Sequence, residues 1–170
     1  HRFNNRYRSG AKMQDTDYVL HYKENSLLLK IEGDRYELPR KGDLAEISET
    51  TDTTFLFSLD DVPCFLVCDD LKSGPTQFIF RDISFFRTTR QQEIAWISMA
   101  GFHLKHWYAH NRFCGKCGTG TRHKPDERAL ICPGCNTIIY PKISPAVIVA
   151  ITCGDKILLA RSSNFPGNWY

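Results

Sequence analysis

The sequence predicts an α+β fold in which a small, mostly antiparallel β domain is joined by one helix to a cysteine-rich module. Three features indicate this: short apolar runs that alternate with turn residues, one stretch of helical apolar spacing, and two Cys-x-x-Cys pairs. The chain has 170 residues, of which 42% are hydrophobic, enough for one or two domains with a real core. The expected divisions are an N-terminal β-rich domain (1–88), a linking helix (89–111), the cysteine-rich module (112–142) and a further segment (143–170).

The N-terminal domain is predicted from apolar runs that lie between Asp17 and Phe80. Gly, Pro, Asn and Asp separate these runs, and such residues form the turns between neighbouring strands. The runs contain no catalytic motif. The apolar runs are residues 18–22, 26–31, 54–59, 64–68 and 77–80.

A helix is predicted to follow the β domain. Thr89 and Gln92 have the spacing of a capping box, and apolar residues recur at helical intervals as far as His110. We expect this helix to dock the β domain onto the cysteine-rich module. The apolar positions are Ile94, Ile97, Leu104 and Tyr108, broadened by Trp96, Phe102 and Trp107. No carboxylate accompanies the helix histidines in a metalloprotease pattern, so they are expected at the surface: His103, His106 and His110.

The two cysteine pairs have the spacing of a metal site. Cys114 and Cys117 form the first pair, Cys132 and Cys135 form the second, and 14 residues separate the pairs. Two such turns can meet as a tetrahedral cage of four thiolates, which suits Zn²⁺; two disulfides are the alternative. A cage of four cysteines is closed, so residues 112–142 are expected to be a four-cysteine zinc ribbon that supports structure and performs no chemistry.

Composition limits the remaining possibilities. The sequence contains no run of about 18 apolar residues, which a membrane span would require, and the basic N-terminus lacks the apolar stretch of a signal peptide. Cys64, Cys68 and Cys153 lie in apolar, strand-like surroundings and are expected to be buried, reduced thiols, which favours a cytoplasmic location. A net charge of +3 is too small to indicate nucleic-acid binding.

A β-hairpin is predicted inside the cysteine-rich module and another after it. The first spans residues 119–131, and Arg122 and Lys124 are expected in solvent at its tip. The second joins the apolar run 146–152 to 156–161 through the Gly-Asp turn at Gly154, before a loop over 162–170.

Four segments together resemble the NADH pyrophosphatase (NAD diphosphatase) family of the Nudix superfamily, which contains a zinc ribbon. The resemblance covers about residues 89–170, and its motifs are specific in combination. The segments are Arg-Phe-Cys-Gly-Lys-Cys-Gly at 112–118, Cys-Pro-Gly-Cys at 132–135, Tyr-Pro-Lys-Ile-Ser-Pro-Ala-Val-Ile-Val-Ala at 140–150 and Ile-Leu-Leu-Ala-Arg at 157–161.

The resemblance implies a fold and an activity. In this family an N-terminal domain and a zinc ribbon precede a Nudix α/β/α domain, so residues 143–170 would contain its opening β-hairpin and remain incomplete. That domain splits the pyrophosphate of NAD(H) into AMP and nicotinamide mononucleotide with Mg²⁺ or Mn²⁺. Bacterial relatives also remove NAD caps from RNA, and the enzymes are usually homodimers.

The resemblance also implies roles for individual residues. The zinc ligands of the family correspond to the four ribbon cysteines. Glu127 lies five positions before the third cysteine and Tyr140 five positions after the fourth, where the family contacts its substrate. A carboxylate can accept hydrogen bonds from ribose or an amide, and a phenol offers a ring face with a polar end. The alternatives are a solvated hairpin glutamate and a core tyrosine.

One part of the family pattern is missing. Nudix catalysis needs a helix whose glutamates gather the divalent metal beside the pyrophosphate. After Glu127 the sequence contains one acidic residue, Asp155, and no glutamate. No catalytic residue is therefore assigned, the 170-residue chain is expected to be inactive alone, and the sequence resembles such an enzyme truncated before its Nudix box.

A second function remains open at this point. A free-standing zinc ribbon with a basic hairpin would be a nucleic-acid-binding module. Asp126 and Glu127 interrupt the basic stretch, and the continuation over 140–161 has no role in such a module, so the hydrolase interpretation is favoured. The basic residues are Arg112, Lys116, Arg122, His123, Lys124 and Arg128.

Overall fold

The N-terminal part of the chain folds as a seven-stranded sheet. The computed structural model describes residues 2–33, 35–69, 71, 77–160 and 163–164. The strands are β1 (Phe3–Asn4), β2 (Tyr18–Lys23), β3 (Ser26–Glu32), β4 (Arg35–Glu37), β5 (Thr53–Leu59), β6 (Val62–Val67) and β7 (Phe78–Asp82). Their order in the sheet is β1-β5-β6-β2-β3-β4, and β7 pairs with β3. Only the β2–β6 pair is parallel among these described strands, which confirms the mostly antiparallel prediction.

The predicted helix is present as α1, Gln92–His110, and packs on one face of the sheet. Ile94 and Ile97 are buried against the sheet core, because apolar side chains at this spacing share one helix face. The approach is close at Gly101, where an added Cβ would lie 2.5 Å from the hydroxyl of Tyr22. That hydroxyl donates to the carbonyl of Ser98 at 2.7 Å. The glycine therefore lets helix and sheet pack closely.

The predicted capping box is wrong. Gln91 occupies the N-cap and makes no side-chain cap hydrogen bond. Its side-chain amide instead pairs with the backbone of Tyr36, accepting from N–H at 2.9 Å and donating to C=O at 2.8 Å. The helix start is thus fixed by a tertiary contact.

Trp96 belongs only partly to the apolar face of the helix. It is 55% exposed, and its ring meets that of Phe3 edge to face.

The ribbon forms a separate small sheet that docks on the first one. Strands β8 (Arg122–His123), β9 (Leu130–Ile131) and β10 (Ile138–Ile139) pair in the order β10-β9-β8, which confirms the hairpin predicted between the cysteine pairs. Tyr7 donates its hydroxyl to the carbonyl of Lys124 at 3.2 Å. The guanidinium of Arg128 donates to the carbonyl of Leu56 in β5 and to the side chain of Asn5. The N-terminal segment therefore links both sheets.

The second predicted hairpin is shorter than expected. Strands β11 (Thr152–Cys153) and β12 (Lys156–Ile157) pair around Gly154, whose φ is +59°. Residues 146–151 form no strand, and Ile148 is fully exposed. No described element packs on this run, and apolar β-branched residues hold a strand only when neighbours cover them. Position 161 and most of the predicted loop over 162–170 lie outside the described residues.

The three cysteines outside the pairs differ in burial. Cys64 is buried as expected, whereas Cys68 and Cys153 are exposed, so the prediction of buried thiols is wrong for these two. Cys68 follows the end of β6, and Cys153 lies in the thinly packed last hairpin. In the described part of the chain no helix is both long and apolar enough to cross a membrane.

Candidate metal centre and substrate surface

The two cysteine turns are built alike, with an offset of 18 residues. In each turn the backbone N–H four positions after the first cysteine donates to that cysteine's carbonyl, at 2.8 Å from Gly118 and 2.9 Å from Asn136. Both of these residues have positive φ, +73° and +58°. Glycine and asparagine adopt this left-handed conformation most readily, so the sequence closes both turns in the same way.

A second repeated contact closes each turn further. The N–H of Cys114 donates to the carbonyl of Thr119 at 2.8 Å, and the N–H of Cys132 donates to the carbonyl of Thr137 at 2.9 Å. The turns also touch each other, because a Cβ at Gly134 would lie 2.7 Å from the Thr119 hydroxyl. Glycine at this position lets the two turns approach.

The structure brings the four sulfur atoms together. The separations are 3.6 Å for Cys114–Cys135, 3.4 Å for Cys117–Cys132 and 3.5 Å for Cys117–Cys135, and all four sulfurs lie within 4.8 Å of one another. Zinc–sulfur bonds of about 2.3 Å place tetrahedral ligands about 3.8 Å apart, so the cluster fits a Zn²⁺ ion. All seven cysteines are free thiols, which does not support the disulfide alternative.

Hydrogen bonds around the cluster favour thiolates, the form that binds metal. The hydroxyl of Thr137 lies 3.1 Å from the sulfur of Cys135 and, as the main cause, lowers the pKa of that thiol to about 6. Thr119 acts likewise on Cys117, whose pKa is lowered. Burial raises the pKa of Cys132 to about 11, so this thiol needs a bound cation to become a thiolate near neutral pH.

Glu127 and Tyr140 also lie together, although 13 residues separate them. The Tyr140 hydroxyl donates to Oε1 of Glu127 at 3.0 Å, and the ammonium of Lys124 lies 2.9 Å from the same oxygen. Lys124 is the main cause that lowers the pKa of the Glu127 carboxyl, with Tyr140 second. Tyr140 is 51% exposed, so it is not a core residue. The result is an anionic carboxylate beside a free ring face.

Lys124 is not the solvated residue that the sequence predicted. Its side chain is only 17% exposed and forms ion pairs with Asp126 and Glu127, which raise its pKa. Arg122 is exposed as expected. The difference arises because the hairpin folds its two acidic residues back onto Lys124.

The basic stretch does not form a continuous cationic face. Lys124 is neutralised by its acidic neighbours, and Arg128 is directed inward to Leu56 and Asn5. A nucleic-acid groove needs several free cations in a row. Two of the six basic residues are therefore committed to the fold.

The helix histidines are mostly where the sequence placed them. His103 and His110 are exposed, but His106 is partly buried, with its ring centroid 4.4 Å from that of Phe102. Burial lowers the pKa of His106. Among the described residues, the four cysteines are the only group of three or more metal-ligating side chains.

Comparison with known proteins defines the class. Residues 109–140 match the model described as the NADH pyrophosphatase zinc ribbon domain. Residues 16–107, more than half of the chain, match the NADH pyrophosphatase-like rudimentary NUDIX domain. The chain therefore belongs to the NADH pyrophosphatase-like family. The match to a zinc ribbon and the four-cysteine cluster together support a structural Zn²⁺.

Curated relatives agree with this family. The chain is 52% identical over 62 residues to the NAD-capped RNA hydrolase NudC of Pseudomonas aeruginosa, covering 36% of this chain and 22% of the relative. It is 34% identical over 111 residues to the protein of the same name from Pectobacterium atrosepticum, covering 64% and 39%. The chain thus spans between about a fifth and two fifths of these relatives.

Sequence reasoning missed two features of this region. It found no family signal before residue 89, although the NUDIX-like match begins at residue 16. Short strands with alternating burial occur in many folds, so their pattern alone carries no family information. It also missed Lys124 as the partner of Glu127; the i, i+3 spacing of opposite charges was the available signal.

Zinc content tests the metal centre. We expect one tightly held zinc per chain, and Cys114→Ser should lose it and disorder residues 112–140, because metal binding supplies about 10–16 kcal/mol of apparent free energy in small zinc modules. Elemental analysis and amide exchange measure both effects. Cys153→Ser, an exposed cysteine outside the cluster, is the control and should keep the metal. A metal-free chain with two disulfides in the ribbon would contradict this assignment.

Proposed function

We propose that this chain is the N-terminal and zinc-ribbon portion of a hydrolase that splits the pyrophosphate of NAD(H) into AMP and nicotinamide mononucleotide. The observation that carries the proposal is the pair of adjacent family matches over 16–107 and 109–140, both described by NADH pyrophosphatase. The names of the relatives extend the proposal to NAD caps on RNA as substrates. The proposed boundaries remain 1–88, 89–111, 112–142 and 143–170.

The ribbon's role in this proposal is to hold one wall of the substrate site. Zinc bound by the four cysteines would fix both turns and hence the strands that precede Glu127 and Tyr140. The pair then offers a carboxylate acceptor and an exposed ring, joined by the 3.0 Å hydrogen bond from the Tyr140 hydroxyl to Glu127. Such a pair suits a nucleoside, whose ribose donates hydrogen bonds and whose base stacks on aromatic rings.

The hydrolytic step would need Mg²⁺ or Mn²⁺, which binds to carboxylate oxygens. Among the described residues no carboxylates gather as a metal-binding group, and after Glu127 the whole sequence contains a single acidic residue. We therefore assign no catalytic residue to this chain. By this proposal its residues bind and orient substrate, and the metal carboxylates belong to a Nudix box.

Two further expectations belong to the same proposal. A homodimer would cover the exposed apolar side chains of residues 143–159, which no described element covers. A cytoplasmic location would keep the seven free cysteines reduced. A free-standing nucleic-acid-binding module is disfavoured, since Lys124 and Arg128 are occupied within the fold.

Turnover tests the assignment of the reaction. The purified 170-residue chain should not hydrolyse NADH with Mg²⁺ or Mn²⁺, because it contains no glutamate after Glu127. The full-length product of the gene should hydrolyse NADH and release AMP, measured by chromatography of the products. Turnover by the 170-residue chain would show that the catalytic residues are misplaced, and an inactive full-length product would contradict the reaction itself.

Substitutions in the ribbon test the substrate wall. In the full-length enzyme, Glu127→Ala and Tyr140→Ala should each lower kcat/KM by several-fold to about a hundredfold, because each removes a hydrogen bond or a stacking face worth about 0.5–3 kcal/mol. Zinc content should not change. Lys124→Ala should also lower kcat/KM, since it leaves Glu127 without its cation.

Arg122→Ala is the matched control, because Arg122 is an exposed basic residue of the same hairpin with no role in this wall. Equal effects of Arg122→Ala and Glu127→Ala would show that the ribbon is only structural. Tyr140→Phe separates the two roles of the tyrosine: it removes the hydroxyl and keeps the ring.

A further inference from the structure

A cavity of about 710 Å³ lies where the β domain, helix α1 and the ribbon meet. Ligand sites usually have volumes of about 300–1,000 Å³ and often form between domains. The ends of β5 and β6 form one wall, the last turns of α1 form a second, and β8 and β9 form a third. Its lining includes neither Glu127 nor Tyr140, so it is separate from the substrate wall described above.

The end of the helix and the residues just after it contribute two cations and an aromatic ring to the cavity. Lys105 and Tyr108 are spaced i, i+3 on one face of α1, and Arg112 follows two residues after the helix ends at His110; all three line the cavity. The ammonium of Lys105 donates to the carbonyl of Glu24 at 2.9 Å. Neither Lys105 nor Arg112 forms an ion pair with any carboxylate in the described part of the chain. Within the described residues, both cations can therefore still donate to an anion.

The ribbon wall adds a flat aromatic surface. The ring of His123 stacks on that of Tyr108, with centroids 4.9 Å apart and planes inclined by 28°. Partial burial of the two rings is the main cause that lowers the pKa of His123 and raises that of Tyr108 to about 12, so both rings are neutral near pH 7. His123 remains exposed, which leaves ring surface for a planar ligand.

The sheet wall supplies hydrogen-bond acceptors. Asp52 and Asp69 are exposed at the cavity, and the N–H of Asp52 donates to one carboxylate oxygen of Asp69 at 2.8 Å. The other carboxylate oxygens can accept from hydroxyl or amino groups. The cavity thus combines cations that can donate to a phosphate, an aromatic surface for stacking, and carboxylates that can accept hydrogen bonds from hydroxyl groups.

We propose that this cavity binds a nucleoside monophosphate, with its phosphate at Lys105 and Arg112 and its base against His123. Phosphate is recognised by lysine and arginine donors, and every base offers a face for aromatic stacking. The ribose hydroxyls would donate to the two aspartates. The nucleotide is either free in solution or a unit of an RNA strand, because both present the same groups.

Calorimetric titration of the zinc-loaded 170-residue chain tests the proposal with two probes, AMP and a 5′-phosphorylated RNA tetramer. Lys105→Ala should weaken binding about tenfold or more, as expected for a lost charge-assisted hydrogen bond. His123→Ala should weaken it about five- to a hundredfold through lost stacking. Adenosine, which lacks the phosphate, should bind at least tenfold more weakly than AMP. Binding of the tetramer without AMP identifies the nucleotide as part of RNA, and binding of AMP without the tetramer identifies a free nucleotide. Equal binding of both probes supports recognition of the single nucleotide that they share.

Two variants serve as controls. Arg122 lies next to His123 but outside the cavity lining, and Lys116 is an exposed lysine that is also outside it. The Arg122→Ala and Lys116→Ala variants should therefore bind both probes like the unchanged chain. Tyr140→Ala is measured beside them, because it removes a group of the proposed substrate wall and so shows whether the nucleotide binds there instead. Zinc content and thermal unfolding show whether each variant is folded.

If neither AMP nor the RNA tetramer binds at millimolar concentration, the proposal is overturned. Binding that survives Lys105→Ala and His123→Ala but disappears with Tyr140→Ala would overturn it as well, because the nucleotide would then occupy the substrate wall. Neither outcome depends on turnover, so the proposed reaction can stand or fail independently.

Discussion

The meeting of four thiolates is the constraint on which the ribbon depends. Only four of its described residues are buried apolar or cysteine side chains, Cys114, Ala129, Leu130 and Cys132, so apolar burial alone contributes little. Each buried aliphatic side chain stabilises a fold by about 1.5–3 kcal/mol, far less than the cost of ordering some thirty residues. Metal binding can supply the difference, because the cage forms only when both turns are folded.

The repeated design of the turns shows how the sequence prepares this cage. Gly118 and Asn136 close equivalent turns in the left-handed conformation, and Thr119 and Thr137 each place a hydroxyl on the second sulfur of their pair. The strands that leave these turns, β8 and β10, lead to Glu127 and Tyr140. Arg128 and Tyr7 then fix the ribbon on the β domain, so one metal centre orders a surface that extends beyond its ligands.

Local chemistry was predictable from the sequence, and tertiary contacts were not. The spacing of the cysteines predicted the cluster, and the apolar period predicted α1 with its end at His110. The start of the helix was misplaced because Gln91 pairs with Tyr36, 55 residues away. The run 146–151 looked like a strand because its residues are apolar, yet the described chain offers it no neighbour. The inward position of Lys124 likewise depends on how the hairpin folds back.

X-ray absorption at the zinc edge tests the central claim most directly. If the metal centre organises the ribbon as described, the spectrum of the zinc-loaded protein will fit four sulfur ligands at about 2.3 Å and no nitrogen or oxygen ligand. That result would make all four cysteines ligands of one ion. A fit that requires nitrogen or oxygen ligands at about 2.0–2.2 Å, with fewer than four sulfurs, would contradict the account.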